Sequence, residues 1–548
     1  MVAGPVRKRL SMRQTICTVV LAISLMPAAL RLAVAQSGPP VSPGIVLAAA
    51  AAKTPVANGP VQTDWASIRA NYTVPQWYID GKFGITMHWG LYSVAAYHNE
   101  WYEKYMYSTF AGWHTQHFGP PDKFGYKDFI PLFTAKDFNA EDVLALVKES
   151  GAKYFVPTCE HHDGFSLWDS AINPFNSARM GPRRDLIGEM AAAARKAGLK
   201  FGVCNHSIEH YTFIRPAPGL LTDLDDPRFA DFYWTGHNDA RLQKFLEDWV
   251  AKSMELIDKY QLDILWYDNG VNSRDYDPLK LKVAAYYYNR AREWGREVTL
   301  DTKDSAFLAG SVLDFEKLNP RGPTRILKGI WEAEEPIGST WGYSAANPVE
   351  TFRSPQSVIA LLCTVLSMNG NLLLNLSPEG QGAINAAQRN TLRELGKWLA
   401  INGEAVYGTH NWMVDGEGFT RLPPRSGRGT GGTPPPAAGP SPFESKPAKA
   451  VEYRFTVKGD NLYAIAQSWP GDTAIITSLA AGSALEGKIA SVSLLGHSGT
   501  LQFTRDDQGL KVKMPSERPC EYAYTLRITG LKMNPAGPPI PAIMADLQ

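Results

Sequence analysis

From residue 61 to 407, amphipathic helical patterns alternate with short β-branched and aromatic runs. Three times a helical pattern closes on Gly and a basic residue follows before an apolar run begins: Lys148–Thr158 through Gly151, Arg195–Asn205 through Gly198, and Arg292–Asp301 through Gly295. Glycine takes the left-handed turn that ends a helix, and a short run without polar alternation is a strand buried on both faces. Ile257–Asn269 passes from helix to strand without the glycine. This alternation predicts a parallel sheet with crossover helices. About 345 residues of it suit one (β/α)8-type barrel better than two small sheets, although fewer than eight strands stand out as clean runs.

After Tyr407 the pattern shortens. Runs at Val451–Val457, Leu462–Gln467, Thr473–Leu479, Ile489–Leu495, Leu510–Met514 and Tyr522–Ile528 are separated by turn residues. They predict an antiparallel β-sandwich over 408–534. Residues 423–442, with 7 Pro and 5 Gly in 20, read as a surface insertion. Residues 535–548 read as a loose tail, and the Ala-, Pro- and Ser-rich stretch 36–60 as a flexible lead-in with little to pack. Ahead of these, Arg7, Lys8, Arg9 and Arg13 precede an apolar run from Ile16 to Leu30, and Ala33-Val34-Ala35 offers a cleavage site before Gln36. Residues 1–35 therefore read as a secretory signal, too short in its apolar run to span a bilayer. A secreted or periplasmic chain is expected, with no membrane insertion once the signal is removed.

Composition narrows the function classes. Of 548 residues 44% are hydrophobic and 20% charged, which excludes a wholly disordered or fibrous chain. The net charge of +1 becomes about −4 without the signal, since 1–35 carries five Lys or Arg and no acids; a nucleic-acid partner is not expected. Cys17, Cys159, Cys204, Cys363 and Cys520 form no CxxC pair, which argues against a zinc ribbon or a disulfide framework. The 15 Trp, 23 Tyr and 22 Phe suit a large core, a wall for sugar faces, or both.

A (β/α)8 barrel carries its chemistry where its strands end. Ile264–Tyr267 ends at Asp268; Tyr154–Cys159 runs into Glu160, His161, His162 and Asp163; Phe83–Met87 runs into His88 and Trp89; Phe201–Cys204 runs into Asn205 and His206. Each has a plainer reading as a turn or core residue, but independent accidents should not share one rim. A metal site is disfavoured, because adjacent histidines on an extended segment point to opposite faces and no HxH or HExxH is present. Trp89, Trp101, Tyr102, Trp168, Trp266, Tyr267, Trp341 and Tyr343 lie near these groups in sequence, and a polar rim walled by tryptophan suits a pyranose. Glycoside cleavage needs two carboxyl groups. Asp268 is one candidate, and Glu316, Glu332, Glu334 and Glu335 compete for the other.

These residues carry a resemblance. Phe83-Gly84-Ile85, His88-Trp89-Gly90-Leu91-Tyr92-Ser93, Glu100-Trp101-Tyr102, His161-His162-Asp163-Gly164-Phe165, Leu167-Trp168-Asp169-Ser170, Arg184-Asp185-Leu186, Trp341-Gly342-Tyr343 and Gly370–Asn375 resemble, in order, the α-L-fucosidases of glycoside hydrolase family 29. The resemblance extends from about residue 60 to 532. It implies a retaining exo-enzyme acting on fucosylated oligosaccharides or glycoconjugates, with Asp268 as nucleophile and Glu316 as acid/base, Glu332 being the alternative. It further implies that His88, Glu100, Trp101, His161 and His162 hold the sugar hydroxyls, that Trp266 lines the apolar side near the 6-methyl group, and that Lys303 and Trp341 complete the substrate-binding set. No metal or organic cofactor is implied. Three positions depart from the family pattern. Cys204-Asn205-His206 stands where Tyr-Tyr-Ser is common, Lys303 in Asp301-Thr302-Lys303 where an Arg is common, and Glu160 where a Lys is common. They keep open a glycosidase for a related sugar such as a galactoside, or a catalytically weakened sugar-binding homologue.

Overall fold

Eight strands pair in parallel and in sequence order until the last meets the first: β1 (Phe83–Met87), β2 (Tyr154–Glu160), β3 (Lys200–Asn205), β4 (Ile264–Tyr267), β5 (Thr299–Lys303), β6 (Val312–Glu316), β7 (Trp331–Pro336) and β8 (Gly370–Leu376). Leu373 of β8 lies opposite Gly84 of β1, which closes the barrel. This is a computed structural model that describes residues 41–52, 58–303, 305–318, 322–323, 325–346, 351–419, 451–483, 485–537 and 539–542. The expected signal 1–35 and insertion 423–442 lie outside the described residues.

The helix-to-strand turns form as the pattern predicts. Gly198, at φ +75°, closes the helix Leu186–Ala197 immediately before β3, and a side chain there would be strained. Strands β5 to β7 explain why eight clean runs were not visible. Their alternate positions Asp301 and Lys303, Asp314 and Glu316, Glu332 and Glu334 carry charge-bearing groups on the face turned into the barrel. A parallel strand is recognised by being apolar on both faces, and these three are not.

Within the barrel, Cys204, Ile264, Trp266, Val312 and Leu373 form one buried apolar cluster with Tyr78 and Tyr154. At the floor, the helix Gln76–Gly81 inserts Tyr78, and the hydroxyls of Tyr78 and Tyr154 both donate to Glu332 Oε2, at 2.8 and 2.7 Å. Because every neighbouring pair is parallel, all eight carboxyl ends share the opposite rim.

The C-terminal region forms two antiparallel sheets. The larger has the order β13 (Gly487–Leu494), β16 (Tyr524–Leu531), β11 (Asn461–Ala466), β10 (Tyr453–Lys458) and β9 (His410–Glu417); the smaller is β12 (Thr473–Ile476), β15 (Gly509–Lys513) and β14 (Phe503–Asp506). Their inner faces share a core that includes Phe455, Ile476, Val492 and Leu526. Two of these strands, β9 and β14, lie outside the apolar runs of the sequence. β9 is a half-exposed edge strand, and β14 offers one large apolar residue in four. Trp398, on the barrel side, donates its indole N–H to the Ala523 carbonyl at 2.8 Å and ties the sandwich on.

Two expectations are corrected. Part of the lead-in is not loose: Pro43–Ala51 is a helix that buries Val46 and Ala49, and Lys282 Nζ donates to the carbonyls of Ala50 and Ala52 at 2.6 and 2.8 Å. Alanine has the best helix propensity and packs closely, so low side-chain bulk did not mean nothing to pack. Part of the tail is likewise pinned, since Ile330 N donates to the Ile540 carbonyl at 2.9 Å and Ala542 N to the Ile330 carbonyl at 2.8 Å. Cys159, Cys204, Cys363 and Cys520 are free thiols. Among the described residues no helix is long and apolar enough to cross a membrane.

Candidate active site

The rim collects side chains from strands far apart in sequence. Asp268, one residue beyond β4, is buried and heavily engaged. Lys303 Nζ donates to its Oδ1, His206 Nδ1 donates to its Oδ2 at 2.7 Å, and His162 Nε2 lies 3.5 Å from the same oxygen. Burial alone would raise its pKa; Lys303 and His206 outweigh that and hold the carboxyl well below the usual carboxylate range. Burial would in turn lower Lys303, but Asp268, Glu316 and Glu334 hold it well above its ordinary value.

Lys303 also reaches Glu316, whose Oε2 is 3.2 Å from Nζ, while Trp341 Nε1 donates to Glu316 Oε1 at 3.1 Å. One ammonium therefore bridges Asp268 and Glu316. Two carboxylates bridged by one nitrogen are close neighbours, as the two carboxyl groups of a retaining pair must be. Glu332, the sequence alternative, is not brought to this pair. It sits at the barrel floor, bound to Tyr78 and Tyr154 and pushed up to about 7 by burial. Two positions along the same strand, Glu334 lies near Lys303 and Glu316 without being hydrogen-bonded to either at its Oε1. Burial and surrounding carboxylates raise both Glu334 and Asp314 well above their ordinary values, which favours their neutral forms. Glu335 faces away and pairs with Arg353 at 2.9 Å.

The histidines pack against one another. His161 stacks on His206 with ring centroids 4.6 Å apart, and His88 lies 5.1 Å from His206 and 5.7 Å from His161. His88 Nδ1 donates to Asn375 Oδ1 at 2.7 Å, and His162 Nδ1 donates to the His206 carbonyl at 3.0 Å. Burial, then neighbouring imidazoles, push His88 and His161 well below the usual imidazole range. The expectation that His161 and His162 face opposite sides is corrected. Strand β2 ends at Glu160, and the two histidines lie beyond it where the chain turns, with their rings 4.3 Å apart. Alternation of faces holds only within the extended strand, and the turn that follows releases both rings from it.

Of the aromatic wall, Trp101, Trp266 and Trp341 flank these groups. Trp101 meets His162 edge-on at 5.9 Å, Trp341 lies 5.3 Å from His88, and the fully buried Trp266 lies 5.7 Å from His206. Trp89 instead packs on Phe133 and Phe138, and Trp168 donates to Glu255. Glu100 Oε2 accepts from Gly342 N at 3.0 Å, fixing the turn that carries Trp341.

The departures acquire physical roles. Glu160 makes a buried ion pair with Lys252 and accepts from Ser166 Oγ at 2.5 Å, which is a structural contact. Cys204 Sγ lies 3.0 Å from His206 Nε2, so thiol, imidazole and Asp268 form one chain. With the carboxylate accepting from Nδ1, Nε2 accepts from the thiol. Asn375, which orients His88, had no sequence role; its only signal was its place at the end of the Gly370–Asn375 motif.

A polar pocket holding an ionised carboxylate, a second carboxylate one ammonium away and neutral imidazoles can perform a double displacement at an acetal carbon. The family model described as alpha-L-fucosidase matches residues 48–404, and that of the alpha-L-fucosidase C-terminal domain matches 446–529. The chain is 28% identical to human tissue alpha-L-fucosidase over 494 residues, covering 86% of this chain and 92% of that protein. It is 29% identical to human plasma alpha-L-fucosidase over 483 residues, covering 85% and 92%. The solved Thermotoga maritima alpha-fucosidase in complex with fucose superposes with a TM-score of 0.66 at 28% identity, covering 85% of this chain and 100% of that one.

Proposed function

The chain belongs to the alpha-L-fucosidase family, and from that premise we propose a secreted retaining exo-glycosidase that releases α-L-fucose from fucosylated glycans through a covalent glycosyl-enzyme. The observation that carries this reading is the single ammonium of Lys303 on both Asp268 and Glu316. In the first step Asp268 Oδ attacks the anomeric carbon as Glu316 gives a proton to the departing oxygen. In the second, Glu316 takes a proton from water, whose oxygen displaces Asp268 and restores the starting configuration. His206 holds the nucleophile's Oδ2 throughout, and His88, His161 and His162 with Trp101 and Glu100 meet the sugar hydroxyls. Trp266 supplies the apolar surface for the 6-methyl group. Export is supported by the basic start, apolar run and small-residue site of 1–35.

The test uses 4-nitrophenyl α-L-fucoside against the α- and β-D-galactosides, with proton NMR of the first sugar anomer formed and N-terminal sequencing of the exported chain. Fucoside cleavage releasing α-fucose first, from a chain beginning at Gln36, is expected. A galactoside turned over faster, or β-fucose released first, would overturn the substrate or the stereochemistry.

Lys303→Met probes the electrostatics. Asp268 is depressed chiefly because Lys303 outweighs its burial, so removing the cation raises its pKa and reduces the ionised fraction at low pH. The acid limb of kcat/KM, which reports the free enzyme, is expected to move up by about one pH unit or more. An unmoved limb would mean that Lys303 does not set the charge of Asp268.

A further inference from the structure

Three strand ends place imidazoles where a single small ligand could touch all of them. His88, His161 and His206 follow β1, β2 and β3, are buried, and each offers a donor atom within 4.8 Å of the others. Two are oriented by partners: His88 Nδ1 donates to Asn375 and His206 Nδ1 to Asp268, both at 2.7 Å. Imidazoles in metal centres are held in this way, by an amide or carboxylate oxygen that fixes the tautomer and turns the other nitrogen to the ion; in His206 that nitrogen, Nε2, would exchange its 3.0 Å contact with the Cys204 thiol for the ion. The third, His161, has a buried Nδ1 with no hydrogen-bond partner, an unusual state for a buried polar atom.

We propose that this trio binds a divalent transition-metal ion of the zinc type, which inhibits the enzyme by excluding the sugar. Nitrogen donors select zinc, copper, nickel or cobalt over calcium and magnesium, which take oxygen. Zinc–nitrogen bonds of about 2.0–2.1 Å in a tetrahedron put the nitrogens about 3.3 Å apart, so donor atoms already within 4.8 Å of one another need to draw in to hold an ion. The ion opposes catalysis for an electrostatic reason. It would sit one imidazole from Asp268, drawing electron density from the carboxylate that attacks, and it would take the place in which the proposed mechanism holds the sugar. The inhibitory half rests on the fucosidase reading; the binding half does not.

The full chain, stripped with a chelator, is titrated with Co2+ and then Zn2+. One cobalt per chain, giving the visible absorption of a tetrahedral site and displaced by zinc, is expected. His161→Ala and His206→Phe should each weaken cobalt binding about 100-fold or more, with circular dichroism showing that they remain folded. Zn2+ should raise the apparent KM for 4-nitrophenyl α-L-fucoside while leaving kcat unchanged, and chelator should reverse it. Absence of a saturable cobalt spectrum, or binding undiminished in both folded variants, would overturn the site. Zinc binding at the trio with an unaltered KM would overturn the inhibition. The cobalt titration reads out even if the fucoside is not a substrate, so failure of the functional reading and failure of the site are separable.

Discussion

Asp268→Ala is expected to lower kcat/KM for 4-nitrophenyl α-L-fucoside by about 10^4-fold or more, because the variant loses the atom that forms the covalent bond and no neighbouring group can replace it. His206 and His162 carry nitrogen rather than carboxylate, and Glu316 lies across Lys303 from the gap. The variant is also expected to fold. Lys303 retains Glu316 as a counter-charge, so the substitution does not strand a buried ammonium. What remains is a methyl-lined space faced by the Lys303 ammonium and the His206 N–H, which suits a small anion. Azide should therefore restore turnover and yield β-L-fucosyl azide, inverted relative to the substrate because only one displacement occurs. Equal activity in Asp268→Ala and wild type would refute the nucleophile, and rescue giving the α-azide would show that attack comes from the other face.

Glu316→Ala carries the second large effect, and its signature is a dependence on the leaving group. A fucosylated glycan departs as a poorly acidic alcohol and needs a proton, so kcat/KM should fall about 10^2- to 10^4-fold. Nitrophenolate leaves without one, so kcat/KM for the aryl fucoside should stay within about tenfold of wild type. Its kcat should still drop, because no base activates water and the glycosyl-enzyme accumulates, visible as a burst of nitrophenol. Azide, which needs no base, should relieve the block and give the α-azide with retained configuration. Glu332→Gln gives the contrast. Its side chain accepts from Tyr78 and Tyr154 at the barrel floor, so a lower Tm without leaving-group dependence is expected. The acid/base assignment fails if Glu316→Ala slows both substrates equally, or if Glu332→Gln shows the leaving-group pattern.

Much of this site was legible because strand ends in a parallel barrel announce themselves. Asp268 follows Ile264–Tyr267, and His88 follows Phe83–Met87, where a buried, mainly apolar run stops at a polar residue. The choice between Glu316 and Glu332 was not legible. Both lie on inward positions of acid-bearing strands, Asp314 and Glu332 being register partners and Glu316 partnering Glu334. Depth along the barrel axis separates the rim carboxylate from the floor carboxylate, and depth follows from strand register rather than from residue type. The aromatic surplus divides similarly: Trp89 and Trp168 stand beside polar motifs in sequence, yet Trp89 packs on Phe133 and Phe138 and Trp168 donates to Glu255.

Sequence alone determined the barrel-then-sandwich order, the rim as the place of chemistry, and most of the side chains there, since these follow from periodicity and from where apolar runs end. Tertiary structure decided which groups meet. Lys303 bridges Asp268 and Glu316 from a third strand. The turn after β2 brings His161 and His162 together, and His206 joins them from the end of β3. The helix Pro43–Ala51 packs where composition suggested a loose lead-in. Local pattern reports which face of an element a residue occupies. Distances between residues on different strands depend on register, bulges and closure of the barrel, and those are properties of the whole fold.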